Sequence, residues 1–164
     1  MGRYRPPRQF SSPYITLEGK IKLEDELRFL GYTKRPEVVK ALAAAAAEGD
    51  RSENAEYIYR KKQLREIDGR LKYLVKRLER LNCVAEKPDD QSKVFFAAWV
   101  DLEDEDENAV TYRLVGGDET DAKKGWISID SPVAKALLKK QVGDEVVVKT
   151  PGGDIFYEVM SIRY

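Results

Sequence analysis

Six apolar residues in the middle of the chain, Leu64, Ile67, Leu71, Leu74, Leu78 and Leu81, alternate spacings of three and four without a miss. Tyr57 continues the stripe upstream. An a/d seam of this kind leaves one helix face apolar, so a second helix must cover it. The segment from Thr16 to about Glu48 supplies one. Leu23, Leu27 and Leu30 repeat there at spacings of four and three, and Ala41, Leu42 and Ala43–Ala47 are slim, strong helix formers. With only a few residues between them, the two segments must fold antiparallel, as a coiled-coil hairpin. Helices of about 30 residues make it a rod roughly 45 Å long. Pro36 should bend or locally break the first segment, because it has no N–H and crowds the preceding turn.

The tip of that rod, residues 48–54, reads "EGDRSEN". Asp50 and Glu53 sit three apart at the expected start of the second helix, and two readings stand side by side. Asp50-x-x-Glu53 fits a capping box with Asp50 as N-cap, and Ser52 or Asn54 serves in another register. Alternatively, the two carboxylates share one helical face and converge on Mg²⁺, which takes one or two protein carboxylates and leaves its other positions to water and phosphate. From Tyr57 to Leu81 the second helix carries nine basic residues against three acidic ones. Lys62, Arg65, Lys72, Lys76 and Arg80 fall on its outward positions. They form either a solvated coiled-coil face or a track for a nucleic-acid backbone. Tyr59 and Tyr73 share that face and are candidates for stacking on bases.

After Cys83 the pattern changes. Residues 85–92 include the polar run "EKPDDQS" and form a linker. Beyond them, strand-like segments (Val94–Glu103, Ala109–Gly116, "GWISI", "VGDEVVVKT" and "IFYEVMSIRY") surround a short helix opened by Asp130 or Ser131 with Pro132 in its first turn. The fold class is therefore α+β. Its expected parts are a disordered basic leader at 1–14, the helical hairpin at 15–84, the linker, and a small globular domain at 93–164. The chain has 29 basic and 29 acidic residues, one cysteine and no histidine. An intrachain disulfide and a Cys/His zinc site are thereby excluded. The leader lacks the apolar stretch of a secretory signal and no run approaches a membrane span, so a cytoplasmic protein without membrane contact is expected.

The string "GDRSENAEY" at the tip resembles the signature of bacterial Gre transcript-cleavage factors. The resemblance continues through "RPEV", "KKQLREID", "KVFFAAWV", "ISIDSPVAKALLKK" and "VGDEVVVKTP", covering about Ile15 to Tyr164. "SENAEY" with "REID" looks more like the GreB branch than the GreA branch. The resemblance implies an FKBP-like C-terminal domain on the rim of the RNA polymerase secondary channel, with the rod inside the channel. It further implies a transcription elongation factor that stimulates Mg²⁺-dependent cleavage of the 3′ end of backtracked nascent RNA. Such a factor is a monomer and not an enzyme alone. Asp50 and Glu53 would then help hold an Mg²⁺ ion shared with the polymerase. Arg51, Ser52, Asn54 and Tyr57 would support the tip, and Lys62, Arg65, Lys72, Lys76 and Arg80 would contact the extruded RNA. Asp130, Ser131 and Pro132 match a loop implicated in docking to polymerase, and are equally an ordinary helix cap. Two other classes share the hairpin: a polymerase regulator that does not cleave, and a helical-hairpin chaperone. The intact Asp50/Glu53 pair argues against the first.

Overall fold

The computed structural model describes residues 11–49 and 53–164. It divides into two units, one spanning Lys20–Leu81 and the other formed by the stretch ending at Gly19 together with Asn82–Tyr164. In the helical unit the upstream segment is α1 (Leu17–Arg28) and α2 (Arg35–Ala47), and the seam lies on α3 (Ala55–Leu78). Ile67 and Leu74 are buried, as are Val38 and Ala45 of α2, which packs against α3. Leu64, Leu71 and Leu78 are half-buried. The seam is therefore the hydrophobic contact that holds the hairpin closed.

Pro36 does not break the helix. Phe29–Lys34 instead forms a π-helical stretch, and the Arg35 N–H donates to the Leu30 carbonyl five residues back. The widened turn places Pro36 in the first turn of α2, where a missing N–H is tolerated. Ion pairs then fix which residues face each other. Arg70 donates to both carboxylate oxygens of Glu26 at 2.7 and 2.8 Å, and Arg35 reaches Asp68 at 2.7 Å. The hydrogen bond from Arg70 holds the Glu26 carboxyl below its ordinary value, against a smaller opposing effect of burial. Exposed pairs such as these contribute modest stability, so their main effect is on register.

The second unit begins where the leader and the hairpin root were expected. β1 (Tyr14–Thr16) and β2 (Asn82–Val84) pair in parallel, Ile15 opposite Cys83. Ordered backbone thus starts earlier than a leader through residue 14 implies, and residues 14–16 and 82–84 are strands rather than the two ends of a coiled coil. Residues 1–10 of the leader lie outside the described residues. A five-stranded sheet follows, from β3 (Trp99–Asp104), β4 (Ala109–Val115), β5 (Trp126–Ser128), β6 (Glu145–Thr150) and β7 (Gly153–Arg163), in the order β5-β4-β3-β7-β6. Only β4 and β5 run parallel. The short helix α4 (Pro132–Leu137) buries Ala134 and Leu137 among Val100, Leu102, Leu114, Val146, Val148 and Val159, the core on one sheet face.

β3 starts five residues later than its apolar run suggested. Val94–Ala98 leaves the ladder: Val94 exchanges backbone hydrogen bonds with Lys139 and Lys140, and Ala97 adopts a positive φ of 68°. The Tyr164 hydroxyl satisfies this passage, accepting from the Phe95 N–H at 2.8 Å and donating to the Lys93 carbonyl at 2.6 Å. Burial pushes that hydroxyl's pKa up.

Opposite the core, strand register lines up side chains in cross-strand rows. One row runs Trp126–Arg113–Trp99–Arg163, a second Thr111–Asp101–Ser161, and a third Glu103–Glu158–Glu145. In the second row the Asp101 carboxylate accepts from Thr111, Ser161 and Arg163. These bonds, the one from Ser161 first, hold its pKa below the ordinary carboxylate value. The third row has no such complement, because it places three like charges directly across three strands.

Candidate functional site

Three residues of the tip signature fall outside the described residues: Asp50, Arg51 and Ser52. The structure does place the two flanks that carry them. α2 ends at Ala47, with the Glu48 N–H donating to the Ala45 carbonyl at 3.3 Å. α3 begins at Ala55 with Asn54 as its N-cap, whose side-chain oxygen accepts from the Tyr57 N–H at 3.1 Å. This is the alternative register, and it corrects the capping box. Glu53 precedes the N-cap, in a turn, and is not on the first helical turn. Glu53 therefore lies on no helical face that a second carboxylate could share.

Asn54 does more than cap. Its side-chain amide donates to the Ala45 carbonyl at 2.8 Å, so one residue satisfies the start of α3 and the end of α2. Both helix ends carry backbone groups without intrahelical partners, and an amide offers a donor and an acceptor at once. Aspartate would provide only acceptors here, and serine would have a single, shorter hydroxyl for both partners. The sequence marked Asn54 as a possible cap but carried no sign of its second partner, which lies nine residues upstream.

Glu53 is exposed, and no hydrogen bond or ion pair with another described residue engages it. A solvated, unengaged carboxylate is the kind of oxygen donor that Mg²⁺ accepts. Among the described residues there is no group of three or more His, Cys, Asp or Glu side chains placed to hold a metal. One carboxylate of this kind fills only part of such an ion's coordination sphere. Tyr57 is half-buried, and Lys61 lies 5.8 Å from its ring centroid.

Along α3 and just beyond it, Lys62, Arg65, Lys72, Lys76 and Arg80 are all exposed, as their outward heptad positions require. Lys62 approaches Glu66 at 4.0 Å, a weak contact that leaves its charge available. Tyr59 and Tyr73 are exposed too, but Arg60 and Arg70 already lie over their rings at 5.4 and 5.2 Å.

The docking triplet is built into the globular unit. Ser131 is the N-cap of α4, accepting from the Ala134 N–H at 3.2 Å, with Pro132 next to it and exposed. Asp130 accepts from the Ser12 backbone N–H at 2.7 Å and from the Ser12 hydroxyl, so it ties down the chain just before β1. The cap reading of this triplet holds structurally. A neighbouring clasp had no sequence signal: Glu119 accepts from the Thr16 N–H, the Thr16 hydroxyl and the Gly116 N–H. Thr16 in turn caps α1 by accepting from the Gly19 N–H at 3.0 Å. No helix among the described residues is long and apolar enough to cross a membrane.

Comparison with known proteins converges on one family. Residues 13–82 match the model of the N-terminal domain of transcription elongation factors, and residues 88–164 match that of the GreA/GreB C-terminal domain. The chain is 54% identical over 164 residues to transcription elongation factor GreB of Pseudomonas aeruginosa, covering 100% of this chain and 98% of that one. It is 58% identical over 165 residues to GreB of Xanthomonas axonopodis pv. citri, with the same coverage. Among solved structures, the GreA/GreB elongation factor of Nitrosomonas europaea is 21% identical and aligns with a TM-score of 0.42, covering 93% of this chain and 100% of that chain.

Proposed function

The chain belongs to the GreA/GreB family of transcription elongation factors, of the GreB type, and on that premise we propose that it acts on RNA polymerase as a transcript-cleavage factor. In this reading the hairpin tip enters the secondary channel of a backtracked polymerase. There it stimulates hydrolysis of the extruded 3′ end of the nascent RNA, leaving a new 3′ hydroxyl in register. The observation that carries the proposal is Glu53, an exposed and unengaged carboxylate held next to a residue pinned to both helices.

Asp50 and Glu53 would hold an Mg²⁺ ion together with the polymerase's own ligands. The ion, when bound, supplies charge neutralisation at the phosphodiester and an acidified water. The chain's own contribution is positional. Asn54 fixes the backbone from which Glu53 projects, so only side-chain freedom remains to be lost when the carboxylate engages. Lys62, Arg65, Lys72, Lys76 and Arg80 would attract the phosphates of the extruded strand along α3. Asp130, Ser131 and Pro132 would face the polymerase rim, with the loop stiffened by Ser12 and by the Ser131 cap. Alone, the protein would cleave nothing.

The test is a purified, backtracked elongation complex with 3′-labelled RNA and Mg²⁺. Wild-type protein should release short 3′ fragments; unchanged RNA would sink the proposal. Asp50→Asn and Glu53→Gln should abolish release while polymerase binding survives. Lys62→Glu combined with Arg65→Glu should weaken cleavage of long extruded RNAs.

A further inference from the structure

The two middle members of the first cross-strand row, Arg113 and Trp99, border a cleft of about 190 Å³ that is walled also by Leu17, Val84, Ala97 and Tyr164. The central carbon of the Arg113 guanidinium lies 5.3 Å from the Trp99 ring centroid and 4.7 Å from that of Trp126. Only 16% of its side chain is exposed. A guanidinium carries five N–H donors and no acceptor, and donors removed from water need partners. Here Nε is buried with no acceptor among the described residues, and Nη1 makes only a long contact to Glu18 at 3.4 Å. Glu18 is itself 51% exposed.

We propose that this cleft docks an acidic peptide segment of a partner protein, with a carboxylate taken by Arg113 and an adjacent apolar side chain laid on the Trp99–Tyr164 wall. The stacking on two indoles holds the guanidinium plane in place before any ligand arrives, which lowers the entropic cost of a planar, bidentate contact. The apolar walls favour a peptide over a phosphate, since they offer carbon contacts to a side chain and nothing to a hydrated anion. Lys87 and Glu86 at the cleft are both exposed and offset each other, which leaves the sequestered Arg113 as the charge that decides what binds. Glu18 is the competitor: the incoming carboxylate replaces its long contact.

The chain has two tryptophans, and both belong to this row, so the two indole N–H signals in an NMR spectrum of the full-length protein report on the site directly. The probes are N-acetyl-Phe-Asp-Leu-amide, its Asn counterpart, inorganic phosphate and an oligouridylate. The Asp peptide alone should shift both indoles saturably. Arg113→Lys, which keeps charge but loses the fork, should remove the saturable shift. Glu18→Gln, a surface change that leaves the fold intact, should tighten binding about two- to fivefold by removing the competitor. No saturable shift, an equal shift from the Asn peptide, or weaker binding in Glu18→Gln overturns the proposal. So does a stronger response to phosphate or oligouridylate, which would identify the cleft as a nucleic-acid contact.

Discussion

Asn54→Ala removes two hydrogen bonds that belong to different helices. The first is the cap on the Tyr57 N–H, whose loss to alanine costs about 1 kcal/mol. The second is the donation to the Ala45 carbonyl, a neutral bond contributing about 1 kcal/mol. That carbonyl keeps the Glu48 N–H at 3.3 Å, so it is not orphaned and no desolvation penalty is added. The total is about 2 kcal/mol, concentrated at the tip. Asn54→Ser keeps the cap and loses the bridge, so it should cost about half as much. Asn54→Asp also keeps the cap but turns an oxygen towards the Ala45 carbonyl, and should be less stable than the serine variant. Native-state hydrogen exchange at the Tyr57 amide, with urea unfolding followed by far-ultraviolet circular dichroism, resolves the series. An Asn54→Ser variant as stable as wild type would show that the bridge to α2 contributes nothing, whereas equal losses in the Ala and Ser variants would show that the cap contributes nothing. Unchanged exchange at Tyr57 in Asn54→Ala would refute the cap.

Glu158→Lys should raise stability by about 1 kcal/mol, since it converts two opposed like-charge pairs, with Glu103 and Glu145, into attractive ones; thermal unfolding at low salt checks it, and the gain should shrink as salt is added. Helix propensity favours Ala over Gly by about 1 kcal/mol, and Gly69→Ala on α3, with open space around it, should gain that much. Gly19→Ala should instead destabilise, because its Cβ would sit 2.1 Å from an oxygen of the Glu119 carboxylate, which three hydrogen bonds hold in place. Urea midpoints of the two variants moving in the same direction would contradict this. Asp101 has a folded pKa lowered from 3.8, so its stabilisation is fully present above that value and disappears as pH falls through the folded one. The stability gap between wild type and Asp101→Asn should follow that course in an acid titration.

The hairpin was legible because its information is local and periodic: a stripe from Leu64 to Leu81 with a three-four spacing admits one partner geometry. The α+β class of the second half was legible for the same reason, through alternation in Ala109–Val115 and Glu145–Thr150. What escaped depended on residues distant in sequence. β1 and β2 are three residues each and pair across almost the whole hairpin, so neither has a pattern of its own. The start of α3 was ambiguous because Asp50, Ser52 and Asn54 are all good caps, and the deciding contact comes from Ala45. Pro36 signalled disturbance correctly but not its form, because a π-helical stretch keeps the helix going where a break was equally consistent with the residue. The Trp99–Arg113–Trp126 stack depends on the register of three strands, which no single stretch encodes.

The parallel pairing of Tyr14–Thr16 with Asn82–Val84 has a consequence for modularity. Both ends of the helical unit join one two-stranded parallel ribbon, which the chain leaves at Thr16, opposite Val84, and re-enters at Asn82, opposite Tyr14. Topologically, the hairpin is a cassette inserted into a globular host whose own chain closes without it. Its length can therefore drift in evolution or by design, provided that each heptad added before the tip is matched by one added after it. An unmatched heptad would shift Ala45 away from Asn54 and leave the host untouched, so reach and tip geometry are separately adjustable quantities.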